Sequence, residues 1–216
     1  MCDHLAGYAW VARCANQYSG AVETQTLTAR RKAATERDIA GAAAALFAEQ
    51  SVAQVTAEQI AQRAGVSVRT FYRYFARKED AIAPILTVGA ARWQAAFAEA
   101  GDGPLRERIP AVIAGQLGAD GEGDLQVMRA LLIGIESDDA LRDVWLRVNN
   151  DSERRLREIL QGRGAAGADA RILAAVATDA IRIAFEEWAS TDDGPRPDVL
   201  AVEMFRLMSA RISGLD

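Results

Sequence analysis

Residues Thr56 to Lys78 read TAEQIAQRAGVSVRTFYRYFARK and predict two short helices joined by a tight turn. Thr56 is followed three residues later by Gln59, a capping-box pattern that begins a helix. Gly65 is placed to end this helix, because glycine adopts the left-handed backbone conformation without a steric penalty. Ser67 then supplies the hydroxyl that caps a second helix.

The second helix, over about Val68 to Tyr74, carries more polar side chains than packing requires. Phe71 and Phe75 lie four residues apart and are expected to point into a core. Its other faces carry guanidinium, phenol and hydroxyl groups. Guanidinium groups make bidentate hydrogen bonds to guanine edges, small apolar groups contact thymine methyls and hydroxyls bind phosphates. The pattern predicts a helix-turn-helix whose second helix reads DNA.

Residues 64–80, AGVSVRTFYRYFARKED, resemble the signature of the TetR family of bacterial repressors. Arg37 to Phe47 is similar to the family's first-helix pattern R-x-I-x-x-A-A-x-x-L-F. The resemblance covers about residues 30–82. The competing interpretation, a helical hairpin buried inside an enzyme, leaves the cations and tyrosines of this region unexplained.

Ten residues of this module are candidate DNA contacts: Arg30, Thr56, Ser67, Val68, Arg69, Thr70, Tyr72, Arg73, Tyr74 and Lys78. We expect Val68, Arg69 and Arg73 to meet bases, and Thr56 and Tyr72 to bind phosphates.

Two further groups of cations lie outside the recognition helix, one after it and one near the start of the module. Lys78 lies near the start of a helix predicted from Arg77 to about Ala100, where the positive helix end favours a phosphate. Residues 30–32 precede a helix predicted from about Thr35 to Gln50. They either contact phosphates or the minor groove, or form a solvated lead-in. Pro84 is expected to bend the long helix.

The charge distribution supports DNA binding at one end of the chain. The net charge is −5, yet residues 29–80 contain nine Lys or Arg and six Asp or Glu, whereas residues 81–216 contain 15 and 22. Only the first region suits a polyanion. We therefore predict an arm over residues 1–28 and a DNA-binding domain over residues 29–80. Residues 81–216 are the predicted ligand-binding and dimerisation domain.

Composition and the absence of certain motifs narrow the possible fold class and the possible classes of function. Half of the 216 residues are apolar, helical periodicity recurs throughout and no strand pattern appears, so an all-α protein of about nine helices is predicted. No apolar run reaches the length of a membrane span, and the first fifteen residues lack the features of a secretion signal. A cytoplasmic protein is expected. Cys2, His4 and Cys14 lack a fourth metal ligand, and no catalytic or cofactor motif appears, so no metal site, cofactor or enzyme is predicted.

The family resemblance implies a small-molecule cavity among the middle helices. Large, adaptable side chains are its candidate lining: Trp93, Phe97, Met128, Trp145, Phe185 and Trp188. Each can equally be ordinary core. The stretch GIESDDALRDVW, residues 134–145, and the later Glu186-Glu187-Trp188 are similar to family members that sense fatty acyl or other hydrophobic ligands. A hydrophobic effector is therefore expected.

The last two predicted helices, residues 169–190 and 197–212, are candidates for a dimer interface. The first is rich in alanine, which lets helices approach closely, and the second adds large apolar groups. The candidate interface residues are Ala177, Ala180, Ala184, Met204, Phe205 and Met208. Two such pairs would form a four-helix bundle across a two-fold axis, which requires a palindromic operator. The alternative is that both helices close the core of one chain.

These observations predict a homodimeric repressor that a small ligand releases from its operator. The competing class is a helical small-molecule carrier or interaction protein whose helix-turn-helix no longer binds DNA. A gel shift with the gene's own upstream region distinguishes the two.

Overall fold

The computed structural model describes residues 26–212, apart from the side chains of residues 122–124. This part of the chain contains α-helices and two 3-10 turns but no strand, which confirms the all-α prediction. The helices are α1 (Leu27–Glu49), α2 (Ala57–Arg63), α3 (Val68–Tyr74), α4 (Ala83–Glu99), α5 (Leu105–Leu117), α6 (Glu122–Ser137), α7 (Asp139–Gly162), α8 (Gly167–Ser190) and α9 (Pro197–Ser209), and the 3-10 turns are Val52–Gln54 and Glu79–Ile82.

Most of the predicted N-terminal arm, with Cys2, His4 and Cys14, lies outside the described residues. Within residues 26–212, no helix is long and apolar enough to cross a membrane. The same part of the chain contains no group of three or more His, Cys, Asp or Glu side chains that is placed to hold a metal ion.

The described residues form two compact units. The first consists of residues 26–88 and 121–145, and the second of residues 89–120 and 146–212. The first unit extends beyond the sequence division at residue 80, because α6 packs against α1. A Cβ built at Gly134 would lie 3.3 Å from Val52 Cγ2, so α6 fits closely at this position.

Helix α1 begins at Leu27, so the predicted start at Thr35 was wrong. The Thr26 hydroxyl accepts a hydrogen bond from the Ala29 N–H at 3.2 Å, and strong helix formers follow it. Residues 30–32 are therefore helical rather than a lead-in. Adjacent helical residues do not share a face, so these three cations cannot all face one phosphate strand. Arg30 is exposed on the first turn.

Pro84 and Pro110 lie at different depths in their helices. Helix α4 begins at Ala83, after the 3-10 turn, so Pro84 lies in its first turn and removes no internal hydrogen bond. The predicted bend from a proline deep inside this helix is wrong. Pro110, in contrast, lies inside α5, which continues through it to Leu117.

Candidate nucleic-acid interface

The turn between α2 and α3 is fixed by local hydrogen bonds. The Thr56 hydroxyl accepts from the Gln59 N–H at 3.2 Å, and the Gln59 side-chain oxygen accepts from the Thr56 N–H at 2.7 Å. This confirms the predicted capping box. At the other end of α2, the Val66 N–H donates to Ala61 O at 2.9 Å. Gly65 has φ +68°, a conformation that a Cβ would strain.

Helix α3 is held by a cap at one end and an aromatic anchor on its inner face. The Thr70 N–H donates to the Ser67 hydroxyl at 3.1 Å. Phe71 is completely buried, and its ring lies 5.8 Å from that of Phe75, which is also buried. Because these two phenylalanines fix the inner face, the opposite face of α3 is presented to solvent.

The exposed face of α3 carries two arginines and a tyrosine. Arg69, Arg73 and Tyr72 are exposed, and 54% of Tyr72 remains accessible. Within the described residues, neither arginine has an ion-pair or hydrogen-bond partner, although the Arg73 guanidinium lies 5.4 Å from the centre of the Tyr74 ring. The three side chains are therefore available to an external partner with anionic and hydrogen-bonding groups.

The other predicted contacts surround this face with different degrees of exposure. Ser67 and Thr56 are exposed, while Val68, Thr70 and Tyr74 are half-buried. Both capping hydroxyls accept backbone N–H groups. The Ser67 and Thr70 oxygens lie 2.9 Å apart and share a hydrogen bond.

Lys78 has an internal role that the sequence prediction missed. Its ammonium group donates to the carbonyl oxygens of Val52 and Val55, at 2.7 Å each, and lies 3.8 Å from a Glu79 carboxylate oxygen. Two of its three protons are therefore used within the chain. Lys78 therefore links the Val52–Gln54 turn to the segment after α3, a role that the predicted phosphate contact did not include. No local sequence signal identifies carbonyl partners more than twenty residues away.

Two other cations of this unit are also held within it. Arg63 makes a two-pronged ion pair with Glu49, with N–O distances of 2.6 and 2.7 Å, which joins the ends of α1 and α2. Arg77 donates to Asp80 at 3.5 Å, and the hydrogen bond and charge of Asp80 raise the pKa of Arg77. The cations of α3 differ from these because they lack carboxylate partners.

Comparisons with known proteins agree with this geometry. Residues 39–82 match the family model for bacterial regulatory proteins of the tetR family. The HTH-type transcriptional regulator TcmR of Streptomyces glaucescens is 33% identical over 164 residues, which cover 68% of this chain and 71% of the relative. The chain belongs to the TetR family. It is therefore a transcriptional regulator, and α2 and α3 are its DNA-binding helix-turn-helix.

Solved TetR-family structures share its fold. The repressor AlkX from Dietzia sp. has a TM-score of 0.58 and 21% identity, over 82% of this chain and 97% of that one. FadR from Bacillus subtilis, in complex with stearoyl-CoA, has a TM-score of 0.56 and 22% identity, over 81% and 98%. At these identities the likeness concerns the fold of this TetR-family regulator.

The residues predicted to line a ligand cavity are divided between the two units. Met128 and Trp145 lie in the first, and Trp93, Phe97, Phe185 and Trp188 lie in the second. All are buried except Met128, which is half-buried. A cleft of about 450 Å³ in the second unit lies between α5 and α9 and contains none of the six. Its lining is Arg106, Glu107, Pro110, Ala111, Ala114, Val202, Arg206 and Ser209.

The predicted dimer residues need a correction. Ala177, Ala180, Ala184 and Phe205 have no exposed area in the single chain, because the small side chains of α8 let α9 pack closely against it. These four cannot supply new buried area to a partner. Of the other two, Met204 is half-buried and Met208 is exposed. The exposed large apolar side chains of this helix pair are Ile172, Val199, Leu207 and Met208. The eight-residue spacing of Val199 and Leu207, about two helical turns, is the sequence signal for this exposed face of α9.

Proposed function

We propose that this TetR-family regulator is a homodimeric repressor that binds a palindromic operator and leaves it when a small hydrophobic ligand binds. The observation that carries the DNA-reading part is the exposed, carboxylate-free pair Arg69 and Arg73 on α3. A guanidinium that lacks an internal partner retains all its N–H donors for guanine edges and phosphates.

Within the proposed interface, Arg69, Arg73 and Val68 meet bases. Tyr72 and Thr56 bind phosphates, since both residues are exposed and carry hydroxyl groups. The supporting set is Ser67, Thr70, Tyr74 and Arg30. Lys78 supports the interface through the backbone carbonyls it holds.

The proposal of a dimer rests on exposed apolar surface. Leu207 is 74% exposed and Val199 is 53% exposed, on the same helix. Leu207 lies two turns after Val199, and Ile172 adds a third exposed apolar side chain on α8. Apolar groups at this exposure are favourable when they meet a second copy of the same surface. One recognition helix contacts few base pairs, so a two-fold dimer on a palindrome supplies the specificity that one module lacks.

The proposed ligand response rests on the helical body and on fold relatives. The B. subtilis FadR structure contains stearoyl-CoA, and the multidrug binding protein EbrR was crystallised with imidazole. Linkage requires that a ligand which weakens operator binding is itself bound more weakly by the DNA complex, by the same factor.

The test is a gel shift with the DNA immediately upstream of the gene. We expect a retarded band whose footprint contains an inverted repeat. Scrambling one half of the repeat is the matched DNA control and should weaken binding strongly, because only one module then retains its site. Binding that is indifferent to scrambling of either half would contradict the palindrome, and a failure to bind any upstream fragment would contradict the repressor proposal.

A further inference from the structure

Among the described residues of the second unit, Arg108 on α5 has more buried side-chain nitrogens without a hydrogen-bond partner than any other charged residue. Its Nε and Nη2 atoms are buried and have no hydrogen-bond partner. Its guanidinium lies 4.7 Å from the centre of the Phe97 ring, which is itself completely buried. A ring face attracts a cation but accepts none of these in-plane N–H groups in a normal hydrogen bond. Buried, unpartnered donors of this kind destabilise a fold, so their retention needs an explanation.

The charges around Arg108 make its position more costly. Burial lowers the pKa of Arg108, and the positive charge of Arg163 lowers it further, with partial compensation from Asp102. Arg163 is fixed nearby because it donates to the carbonyl oxygens of Ala98 and Ala100 at the end of α4. Asp102 is fully exposed and lies 3.9 Å from Arg163, so it neutralises this pair weakly.

The unpartnered atoms define the chemistry of the missing partner. Nε–H and one Nη2–H point in parallel along one edge of a guanidinium, and this edge matches the two oxygens of a carboxylate or phosphate. Phe97, whose ring centre lies 4.7 Å from this guanidinium, follows Trp93 by four residues on α4, and both side chains are buried. If the oxyanion of a ligand bound at this edge, the apolar part of that ligand would therefore lie along Trp93 and Phe97.

We propose that Arg108 is the anion anchor of an effector site, and that the effector carries a carboxylate or phosphate head on an apolar chain. The inference rests on the proposed ligand response and supplies the chemical class of its effector. Arg182, the cation that lies within an apolar stretch of α8, is not equivalent, because Asp179 and Glu186 already bind it. Both unpartnered nitrogens of Arg108 are covered by protein, so the anion enters when neighbouring side chains move.

The first test is the stability of the ligand-free protein. Arg108→Met keeps the length of the side chain and removes its buried charge, so we expect Tm to rise by about 2–4 °C. The matched control is Arg155→Met, because Arg155 is an exposed arginine of the same unit. This control should not raise Tm. A lower Tm for Arg108→Met would show that Arg108 is a structural residue and would overturn the proposal.

The second test is ligand binding by calorimetry and thermal shift. The probes are decanoate, decyl phosphate and 1-decanol, which share an apolar chain and differ in the head group. Wild type should bind at least one anionic probe about tenfold or more tightly than the alcohol, and Arg108→Met should lose this preference. Decanoate and decyl phosphate distinguish the two head groups. If wild type shows no preference for either anion, or if Arg108→Met retains it, the proposal is wrong.

Operator affinity, measured with the same probes, separates this inference from the proposed function. If an anion binds through Arg108 and operator affinity does not change, the result supports the proposed anion site and contradicts the proposed ligand release. A probe that releases operator equally from wild type and Arg108→Met supports ligand release and contradicts the site.

Discussion

Helices α3 and α8 differ in whether their arginines have carboxylate partners. On α3, Arg69 and Arg73 are exposed and have no carboxylate partner among the described residues. On α8, Arg182 donates to Asp179 at 3.0 Å and to Glu186 at 2.8 Å. Burial lowers the pKa of Arg182, and these two carboxylates reverse the shift, so that its pKa is raised overall.

The surfaces that remain unsatisfied therefore differ between the two regions. Helix α3 leaves positive charge and hydrogen-bond donors, which suit a polyanion. On α8, Arg182 is paired with carboxylates. The exposed apolar side chains of α8 and α9 are Ile172, Val199 and Leu207 together with Met208, and such a surface suits a second copy of the chain. This difference supports the proposed DNA contact through α3 and the proposed self-association through α8 and α9, and mutations can test each proposal.

The largest effect is expected from charge in the apolar surface. Leu207→Glu should dissociate the dimer, and loss of the second half-site should lower operator affinity by about 10²–10⁴-fold. Analytical ultracentrifugation at micromolar concentration and fluorescence anisotropy measure the two quantities. Leu146→Glu is the matched control, since Leu146 is an exposed leucine on α7 that should leave both unchanged. A wild-type dimer and operator affinity in Leu207→Glu would contradict the interface.

The next effect concerns the unpaired arginines. Arg69→Ala and Arg73→Ala should each lower operator affinity by about 1–3 kcal/mol and relax base preference at one position of each half-site. The control is Arg154→Ala, which removes the same charge from an arginine paired with Asp151 on α7. Equal affinity and unchanged base preference in both α3 variants would remove the distinction between α3 and the paired arginines.

Local features of this architecture were predictable from sequence, whereas long-range partners were not. Thr56, Gln59 and Gly65 act on their own neighbours within a few residues, so their spacing predicted the turn. The alanines of α8 predicted close helix packing. Small side chains do not, however, specify whether the packed helix is α9 of the same chain or a helix of a partner. The burial of Ala177 answers this for the single chain.

Lys78 shows the same limit for a charged group. A lysine after a recognition helix is compatible with a phosphate contact, and only the folded arrangement brings the carbonyls of Val52 and Val55 to its ammonium group. Arg108 is a further case, because its sequence neighbours do not show that its Nε–Nη2 edge is buried.

A change in stability, of similar size to the arginine effects, tests the internal role of Lys78. Lys78→Met should destabilise the first unit by about 1.5–3 kcal/mol, because two buried carbonyls lose a charged donor. Urea unfolding measures the change. The salt dependence of operator binding should keep its slope. A stable variant whose slope is smaller by about one would instead identify Lys78 as a phosphate contact.

The smallest effect comes from the turn that orients α3. Gly65→Ala should cost about 1–2 kcal/mol, because its φ of +68° is strained for alanine although nothing lies within 4 Å of the new Cβ. Gly115→Ala, in open space within α5, should stabilise by about 0.5–1 kcal/mol. Thermal unfolding of both variants checks the opposite signs. Stabilisation by Gly65→Ala would contradict the described turn.

The most direct test of base reading by α3 is a cycle of protein and DNA changes. Operator affinity is measured for wild type, Arg69→Ala and Arg73→Ala, with each guanine replaced in turn by 7-deazaguanine, which lacks the N7 acceptor. At one guanine per half-site, the replacement should weaken wild type and cause no further loss in one arginine variant. If the two losses add at every guanine for both variants, the arginines of α3 do not read bases and the central claim is wrong.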